Sequence, residues 1–187
     1  DHRRGTHGQL AGPQPARGPL RPGAGRGVAL DNLVRAERSN LPADGRVDLI
    51  EGSIAADEVL EGLRDEFDLV FHLATYHGNQ SSNANPLEDH ENNLITTLKL
   101  YERIKDWGRL RKVVYSASGC TLAPHTFDSP EAVTEDGPVP FDLDSPYQIS
   151  KVVGEFHSVY YHSQHGLPTV RARFQNVYGP GEGLGAG

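Results

Sequence analysis

Short apolar runs alternate with segments of helical periodicity along most of the chain. Continuous apolar runs separated by helices are typical of a parallel sheet that is covered on both faces. The pattern therefore predicts an α/β fold with a doubly wound parallel sheet, which binds ligands at the carboxyl ends of its strands. The predicted strands cover residues 28–30, 47–50, 68–74, 112–118 and 168–173, and the predicted helices cover 57–66, 89–106 and 147–164.

Two segments between these elements lack apolar periodicity. Residues 75–88 are polar and rich in Asn and Ser, and residues 119–144 are acidic and contain proline, so both are predicted to be irregular. Polar side chains in the first segment either line a ligand site or belong to a solvated loop. These side chains are His77, Asn79, Gln80 and Ser82.

The first 27 residues differ in composition from the rest. They contain seven glycines and four prolines, and they cannot bury enough apolar surface to offset the entropy of ordering. We therefore predict a disordered segment over 1–27 and a folded domain over 28–187. The basic start contrasts with the net charge of −7 for the whole chain, which argues against nucleic acid as the main partner of the folded part.

The cysteine content and the lengths of the apolar runs exclude several classes of protein. The single cysteine, Cys120, cannot form an internal disulfide or a four-cysteine zinc site, and no metal site is predicted. No apolar run is long enough to span a membrane, and none has the length of a signal-peptide core. These features predict a cytoplasmic protein without a membrane partner.

A phenol and an ammonium group share one face of the last predicted helix. Tyr147 and Lys151 lie at positions i and i+4, where the positive charge is expected to lower the tyrosine pKa from its usual value of about 10. Ser118 ends a strand at the ligand edge of the predicted sheet. The dipeptide Ser145-Pro146 predicts a helix start just before Tyr147.

A second tyrosine and lysine have the same spacing. Tyr101 and Lys105 lie near the end of a predicted helix, and no serine precedes them at a strand end. This pair is interpreted as an ordinary contact on a helix surface.

The order of the motifs along the chain resembles that of a known family. The sequence is similar to the extended short-chain dehydrogenase/reductases, in their NAD-dependent sugar epimerase/dehydratase group, from about residue 28 to residue 182. The resemblance implies a Rossmann-like domain that binds NAD rather than NADP. Six blocks carry it: VALDNL at 28–33, FHLA at 71–74, ENNL at 91–94, VYSAS at 114–118, SPYQISK at 145–151 and RFQNVYGP at 173–180.

The resemblance also implies a mechanism and a partner. Tyr147 would remove the proton of a sugar hydroxyl, Lys151 would hold the nicotinamide ribose, and Ser118 would orient the hydroxyl, so these three are the implied catalytic residues. Ser118 and Asn176 are the implied contacts of a nucleotide-sugar substrate, and a homodimer is expected. The implied cofactor contacts are Asp31, Asn32, Ser53, Ile54, Leu73, Ala74, Asn93, Tyr147 and Lys151.

The two residues after Ser118 separate the reactions within the family. Sugar 4,6-dehydratases usually carry an Asp-Glu pair there, whereas this chain has Gly119-Cys120. Neither residue is a useful acid or base for eliminating water, so an epimerase is expected. The alternatives are a nucleotide-sugar dehydratase, reductase or decarboxylase, and a catalytically inactive dinucleotide-binding remnant.

The chain departs from the family pattern at both ends. Members open with a strand and a Thr-Gly-Gly-x-Gly-x-x-Gly loop that binds the pyrophosphate, but residues 6–14 do not match this loop, and four prolines oppose the helix that should follow. We attribute the mismatch to a shifted reading frame, with an Arg/Gly-rich nucleic-acid-binding tail as the alternative. The first strand and glycine loop are therefore expected to be lost, and the C-terminal substrate domain to be truncated.

Loss of the first strand has a predicted structural consequence. In the strand order 3-2-1-4-5-6 this strand lies between the second and the fourth. Residues 28–31 and 68–74 should then face each other across a gap that leaves backbone groups unpaired. We expect low stability and weak binding of NAD.

Overall fold

The computed structural model describes residues 25–34, 36–42, 45–122, 134–175 and 177, so most of the predicted disordered segment 1–27 lies outside it. The strands are β1 (Gly27–Asp31), β2 (Val47–Glu51), β3 (Leu69–His72), β4 (Lys112–Ser118) and β5 (Thr169–Phe174). The helices are α1 (Asp57–Gly62), α2 (Asn79–Ala84), α3 (Pro86–His90), α4 (Thr96–Ile104) and α5 (Pro146–His165). A π turn over Glu91–Ile95 joins α3 to α4, and single 3-10 turns cover Arg38–Asn40 and Gly119–Thr121.

The five predicted strands are confirmed, and so are the helices over 89–106 and 147–164. The prediction of an irregular segment over 75–88 was wrong, because α2 and most of α3 lie there. Pro86 is at the first position of α3, where its missing N–H costs nothing, and the Ser82 side chain of α2 is fully buried. Tertiary packing therefore orders a segment whose composition is that of a loop.

The described strands form two separate parallel sheets. In one sheet β1 pairs with β2, and in the other the strand order is β3-β4-β5. The edges of β1 and β3 that lack a partner among the described residues line one groove of about 1580 Å³. This arrangement confirms the predicted gap between the second and the fourth strands of a doubly wound sheet.

The two faces of the larger sheet differ in how they are covered. Helices α4 and α5 pack on one face, where Val113, Tyr115 and Ala117 of β4 are buried. Gly154 of α5 lies so close to this face that a Cβ at its position would overlap the Tyr115 hydroxyl. On the other face Phe71 of β3 is 61% exposed. The catalytic residues predicted on α5 therefore belong to the covered face.

Helix α4 of the larger sheet contacts α1, the helix that follows β2 of the smaller sheet. Arg103 donates hydrogen bonds to the carbonyl oxygens of Leu60 at 2.8 Å and Glu61 at 3.2 Å, which lie in the last turn of α1. Lys99 forms an ion pair with Asp57 at 2.8 Å. Among the described residues, no helix is both long enough and apolar enough to cross a membrane.

Candidate active site

The start of α5 is fixed by its own sequence. Ser145 is the N-cap, and its hydroxyl accepts a hydrogen bond from the Gln148 N–H at 3.3 Å. The Gln148 side chain reaches back and accepts one from the Asp144 N–H at 3.0 Å. These reciprocal bonds satisfy N–H groups that the helix itself leaves free. The predicted cap is confirmed, and it places Tyr147 in the first turn of the helix.

Helix α2 adds a second support for this turn. The Ser82 hydroxyl accepts a hydrogen bond from the Tyr147 N–H at 2.7 Å, and the Asn79 side-chain oxygen accepts one from the Ser145 hydroxyl at 3.1 Å. Ser82 is fully buried, so it cannot line an open ligand site. The two alternatives left open for Ser82, an open ligand site and a solvated loop, both disagree with its burial, and the side chains of Ser82 and Asn79 instead anchor the helix that carries Tyr147.

Ser118 and Tyr147 meet at the carboxyl end of β4. The strand ends at Ser118, and the hydroxyl of this residue lowers the pKa of the nearby Tyr147 phenol. Burial acts in the opposite direction and dominates, so the pKa of Tyr147 rises to about 12. The Ser118 hydroxyl also lies 2.9 Å from the Cys120 sulfur. Two of the predicted catalytic groups are thus adjacent.

Lys151 lies beneath this pair in a buried position. Its ammonium donates a hydrogen bond to the Ser116 carbonyl oxygen at 3.0 Å, and it lies 5.5 Å from the centre of the Tyr147 ring. Burial lowers the pKa of Lys151 to about 8. The expectation that this lysine lowers the tyrosine pKa below its usual value was wrong for the protein alone, because burial is the largest influence on the tyrosine and raises its pKa.

Asn93 joins three elements near these residues. Its side-chain oxygen accepts hydrogen bonds from the Tyr76 N–H at 2.7 Å and the Thr75 hydroxyl at 3.0 Å. Its amide nitrogen contacts the Tyr76 carbonyl at 3.1 Å, Asp89 at 3.0 Å and Ser150 at 3.2 Å. These bonds use both ends of the amide, so Asn93 fixes the π turn against the loop after β3 and against α5.

The other predicted cofactor residues lie around the groove between β1 and β3. Asp31 ends β1, and one of its carboxylate oxygens accepts a hydrogen bond from the Leu33 N–H at 2.7 Å. Leu73 and Ala74 line the groove beyond the end of β3, and Ile54 closes it from the core. A carboxylate above apolar walls can hold a ribose diol and a flat base.

Three polar residues near the groove are satisfied within the chain. Asn32 accepts a hydrogen bond from the Val34 N–H at 3.2 Å, and Ser53 accepts one from the Ala55 N–H at 3.1 Å. His72 is buried and contacts the Thr97 hydroxyl at 2.9 Å, and burial lowers its pKa to about 3. His72 is therefore neutral at physiological pH.

Two further predictions concern residues away from this cluster. Asn176, the implied substrate contact, lies outside the described residues. The Tyr101 hydroxyl contacts the Ser158 hydroxyl at 2.8 Å inside the core, and the Lys105 ammonium pairs with Glu102 at 2.6 Å. The second tyrosine–lysine pair is therefore divided between the core and the surface, and it forms no site.

Comparison with known proteins gives a single family. A sequence model described as the NAD dependent epimerase/dehydratase family matches residues 21–186. The Bordetella bronchiseptica enzyme WbmF, solved in complex with NAD+, is 57% identical and aligns over 87% of this chain and 45% of that chain, with a TM-score of 0.72. The same enzyme has been solved with NAD+ and UDP.

Curated relatives include more than one reaction. A UDP-glucose 4-epimerase from Mycolicibacterium smegmatis is 33% identical over 158 residues, which cover 82% of this chain and 49% of the relative. A dTDP-D-glucose 4,6-dehydratase from Dictyostelium discoideum is 28% identical over 138 residues, which cover 70% of this chain and 32% of the relative. The chain thus spans about half the length of the epimerase relatives that it matches.

Proposed function

The chain belongs to the NAD-dependent epimerase/dehydratase family, and we propose that it is the cofactor-side part of a nucleotide-sugar epimerase that uses NAD. The observation that carries this proposal is the meeting of Ser118, Tyr147 and Lys151 at the carboxyl end of β4. This edge is where an open α/β sheet binds its ligands.

The residues around the groove fit the adenosine half of NAD. The Asp31 carboxylate can accept hydrogen bonds from a ribose diol, while Leu73 and Ala74 give the groove apolar walls. Lys151 and Tyr147 would hold the nicotinamide ribose at the other end. When bound, NAD supplies the oxidation and reduction at the sugar carbon.

The side chains of this chain supply proton transfer and orientation. Ser118 positions a sugar hydroxyl by hydrogen bonding, and Tyr147 accepts the hydroxyl proton when it is a phenolate. Because the pKa of Tyr147 is about 12 in the protein alone, the phenol must first release its own proton to solvent, and the phenolate that results needs stabilisation. The Lys151 ammonium, 5.5 Å from the ring centre, provides a positive charge for that purpose.

The residues after Ser118 support an epimerase over a dehydratase. A dehydratase needs an acid and a base beside the active-site hydroxyl. A side chain at Gly119 would overlap the side-chain amide of Gln175, and the Cys120 sulfur is engaged with Ser118. With no carboxylate at either position, the chemistry that these residues support is proton removal and return, without loss of water.

Turnover of UDP-glucose and UDP-galactose by the protein tests this proposal. Because weak binding of NAD is expected, the assay uses NAD in large excess. Slow interconversion of the two sugars is then expected, and Tyr147→Phe should reduce it by about 100-fold or more. The matched control is Tyr160→Phe on the exposed side of the same helix. A keto sugar that accumulates without the epimer would instead identify a dehydratase, and no turnover with either sugar would contradict the proposal.

We also propose that α5 mediates a homodimer. Its outer face exposes Phe156, Val159 and Tyr160, which is a contiguous apolar stripe on one helix. A second copy can cover this stripe with the same surface. Light scattering is expected to give a dimer for the protein and a monomer for Phe156→Asp, and a monomeric parent would refute the idea.

A further inference from the structure

The position of Lys151 poses an electrostatic problem. The side chain is only 4% exposed, and its ammonium donates a hydrogen bond to a neutral carbonyl, that of Ser116. A buried ammonium without an opposite charge tends to lose its proton, because burial disfavours the charged form. If Lys151 is to stabilise a phenolate at Tyr147, a neighbouring carboxylate should keep it charged.

The described residues contain two buried carboxylates. Glu155, on α5, accepts hydrogen bonds from the Arg173 guanidinium at 2.8 and 2.7 Å, one on each oxygen. Its charge is therefore already neutralised by an arginine. The other is Asp89, at 0% exposure in α3.

Asp89 is connected to α5 directly before Lys151. One carboxylate oxygen accepts a hydrogen bond from the Asn93 amide at 3.0 Å, and the same amide nitrogen lies 3.2 Å from the Ser150 hydroxyl. The other oxygen is buried and, among the described residues, has no hydrogen-bond partner. The His90 Nδ1 lies 3.7 Å from it, but this nitrogen makes its hydrogen bond with the Pro86 carbonyl oxygen at 2.9 Å. An unsatisfied carboxylate oxygen in the interior is costly unless a positive charge lies close by.

We propose that Asp89 is the buried counter-ion of Lys151 and keeps this ammonium charged beside Tyr147. Asp89 is a positioning residue, because it touches no reacting atom. Its charge also raises the pKa of Tyr147 directly, so its benefit to the tyrosine comes through the lysine that it keeps charged. This role deepens the proposed function and rests on it for its catalytic meaning. The charge pairing itself is a property of the protein alone.

The pKa shifts of both partners agree with this pairing. Burial lowers the pKa of Lys151, and the charge of Asp89 is the largest influence that raises it again. Burial raises the pKa of Asp89, and the groups that lower it are, in order of size, the Ser150 hydroxyl, His90, the Asn93 amide and Lys151. Each group therefore favours the ionised form of the other.

Other titratable groups face Lys151 from the elements packed around it. His72 of β3 has a pKa near 3, and the pKa values of Tyr115 of β4 and Tyr147 of α5 are raised by burial, so these three are neutral around pH 8. Cys120, in the turn after β4, also raises the pKa of Lys151 but less than Asp89 does. Asp89 is thus the main source of negative charge.

Lysine NMR can measure this pairing directly. The chain has four lysines, Lys99, Lys105, Lys112 and Lys151, so lysine labelled with carbon-13 at Cε gives a spectrum that Lys151→Met assigns. Asp89→Asn keeps the shape of the side chain but removes its charge. We expect the midpoint of the Lys151 titration, about 8 in the parent, to fall by about one pH unit in this variant.

Glu88→Gln is the matched control for this titration. Glu88 precedes Asp89 on the same helix but is exposed, and it accepts a hydrogen bond from the Tyr76 hydroxyl. Its loss should leave the Lys151 midpoint unchanged. An unchanged midpoint in Asp89→Asn, or an equal change in both variants, would overturn the proposal. Neither result depends on turnover, so a failure of the proposed function leaves this test intact.

A double-mutant cycle covers the case in which Asp89→Asn unfolds. Lys151→Met leaves the Asp89 carboxylate buried without its counter-ion, and Asp89→Asn does the same to the Lys151 ammonium. Each single change should therefore lower the free energy of unfolding measured in urea. The double variant Asp89→Asn/Lys151→Met leaves no buried charge behind. It should be more stable than the two single losses together predict, whereas strictly additive losses would contradict a charge pair.

Discussion

Two regions of the described chain differ in how well their strands are covered. We name them by their proposed roles, the catalytic edge and the cofactor groove. At the catalytic edge, formed by the larger sheet with α2–α5, four of the seven residues of β4 are buried. In the smaller sheet none of the residues of β1 or β2 is buried. The groups proposed to transfer protons therefore lie in the well-buried sheet. The burial of β1, on the proposed cofactor side, depends instead on what occupies the groove between β1 and β3.

The difference follows from the range of the contacts in each region. Tyr147 is held by its own helix cap and by Ser82, with both contacts inside the covered face. Asp31 ends a strand whose second edge has no partner among the described residues. An unpaired strand edge leaves N–H and C=O groups to solvent, so its local stability is low.

The largest expected effect concerns acid stability of the catalytic edge. His72 is buried there with a pKa of about 3, against 6.5 for an ordinary histidine, so the folded protein binds fewer protons than the unfolded chain between these values. The stability is fully present above pH 6.5 and is lost as the pH falls towards 3. Urea denaturation should give a loss of about 3 kcal/mol from this residue between pH 7 and pH 4.

His72→Gln isolates this contribution. The variant should lose less stability than the parent over the same pH interval, and His77→Gln, which alters an exposed histidine near the same site, should behave like the parent. If His72→Gln and the parent lose equal stability between pH 7 and pH 4, the burial of His72 does not cause the acid sensitivity.

Close packing of the catalytic edge gives the next effect. A Cβ at Gly154 would overlap the Tyr115 hydroxyl, which belongs to the central strand of the larger sheet. Gly154→Ala should therefore cost about 2 kcal/mol in the free energy of unfolding, despite the higher helix propensity of alanine. The matched variant is Gly62→Ala in α1, where no atom lies within 4 Å of the added carbon. Gly62→Ala should be neutral or slightly stabilising. An equal loss in the free energy of unfolding at Gly62 and Gly154 would mean that the two regions do not differ in packing.

Sequence patterns predict the elements of both regions well, because the signals for strands and for the start of α5 are local. The Ser145-Pro146 cap and the apolar runs of β3 to β5 lie within the segments that they define. Helix α2 was missed because its stability comes from partners far along the chain, since Tyr147 lies 65 positions after Ser82. No periodicity within a polar segment reports such a contact.

The burial and the pKa shifts of Tyr147 and Lys151 were harder to predict than the positions of these residues. The spacing of Tyr147 and Lys151 places them on one helix face, but it does not say how deeply they are buried. Burial is what raises the pKa of the tyrosine and lowers that of the lysine. Asp89 carried one signal, its place four residues before Asn93 on a helix, which became meaningful only when both were found buried.

A smaller effect is expected from the support that α2 gives to Tyr147. Ser82→Ala leaves the Tyr147 N–H without its acceptor in a buried setting, so it should cost about 1 kcal/mol in stability and reduce kcat more than it changes KM. Ser81→Ala, one residue earlier on the same helix, is the control and should change neither. If Ser82→Ala leaves kcat unchanged, then α2 does not help to position the tyrosine.

The smallest effect is expected in the smaller sheet. It tests whether a surface ion pair or the open strand edge determines the stability of that sheet. Arg26 and Asp48 form an ion pair at 3.0 Å across β1 and β2, with side chains that are 75% and 58% exposed. Such a pair is worth less than about 1 kcal/mol, because solvent screens both charges. In Asp48→Asn, amide hydrogen exchange in β1 should therefore accelerate by less than about fivefold.

A matched pair lies in the larger sheet, at the end opposite to Ser118 and Tyr147, where Arg109 and Asp68 meet at 3.1 Å just before the start of β3. Asp68→Asn should have an equally small effect on exchange in β3. Equal effects would mean that surface charges do not cause the difference between the regions, which then follows from burial and from the open strand edge. A tenfold acceleration confined to β1 would instead show that an ion pair holds the smaller sheet together.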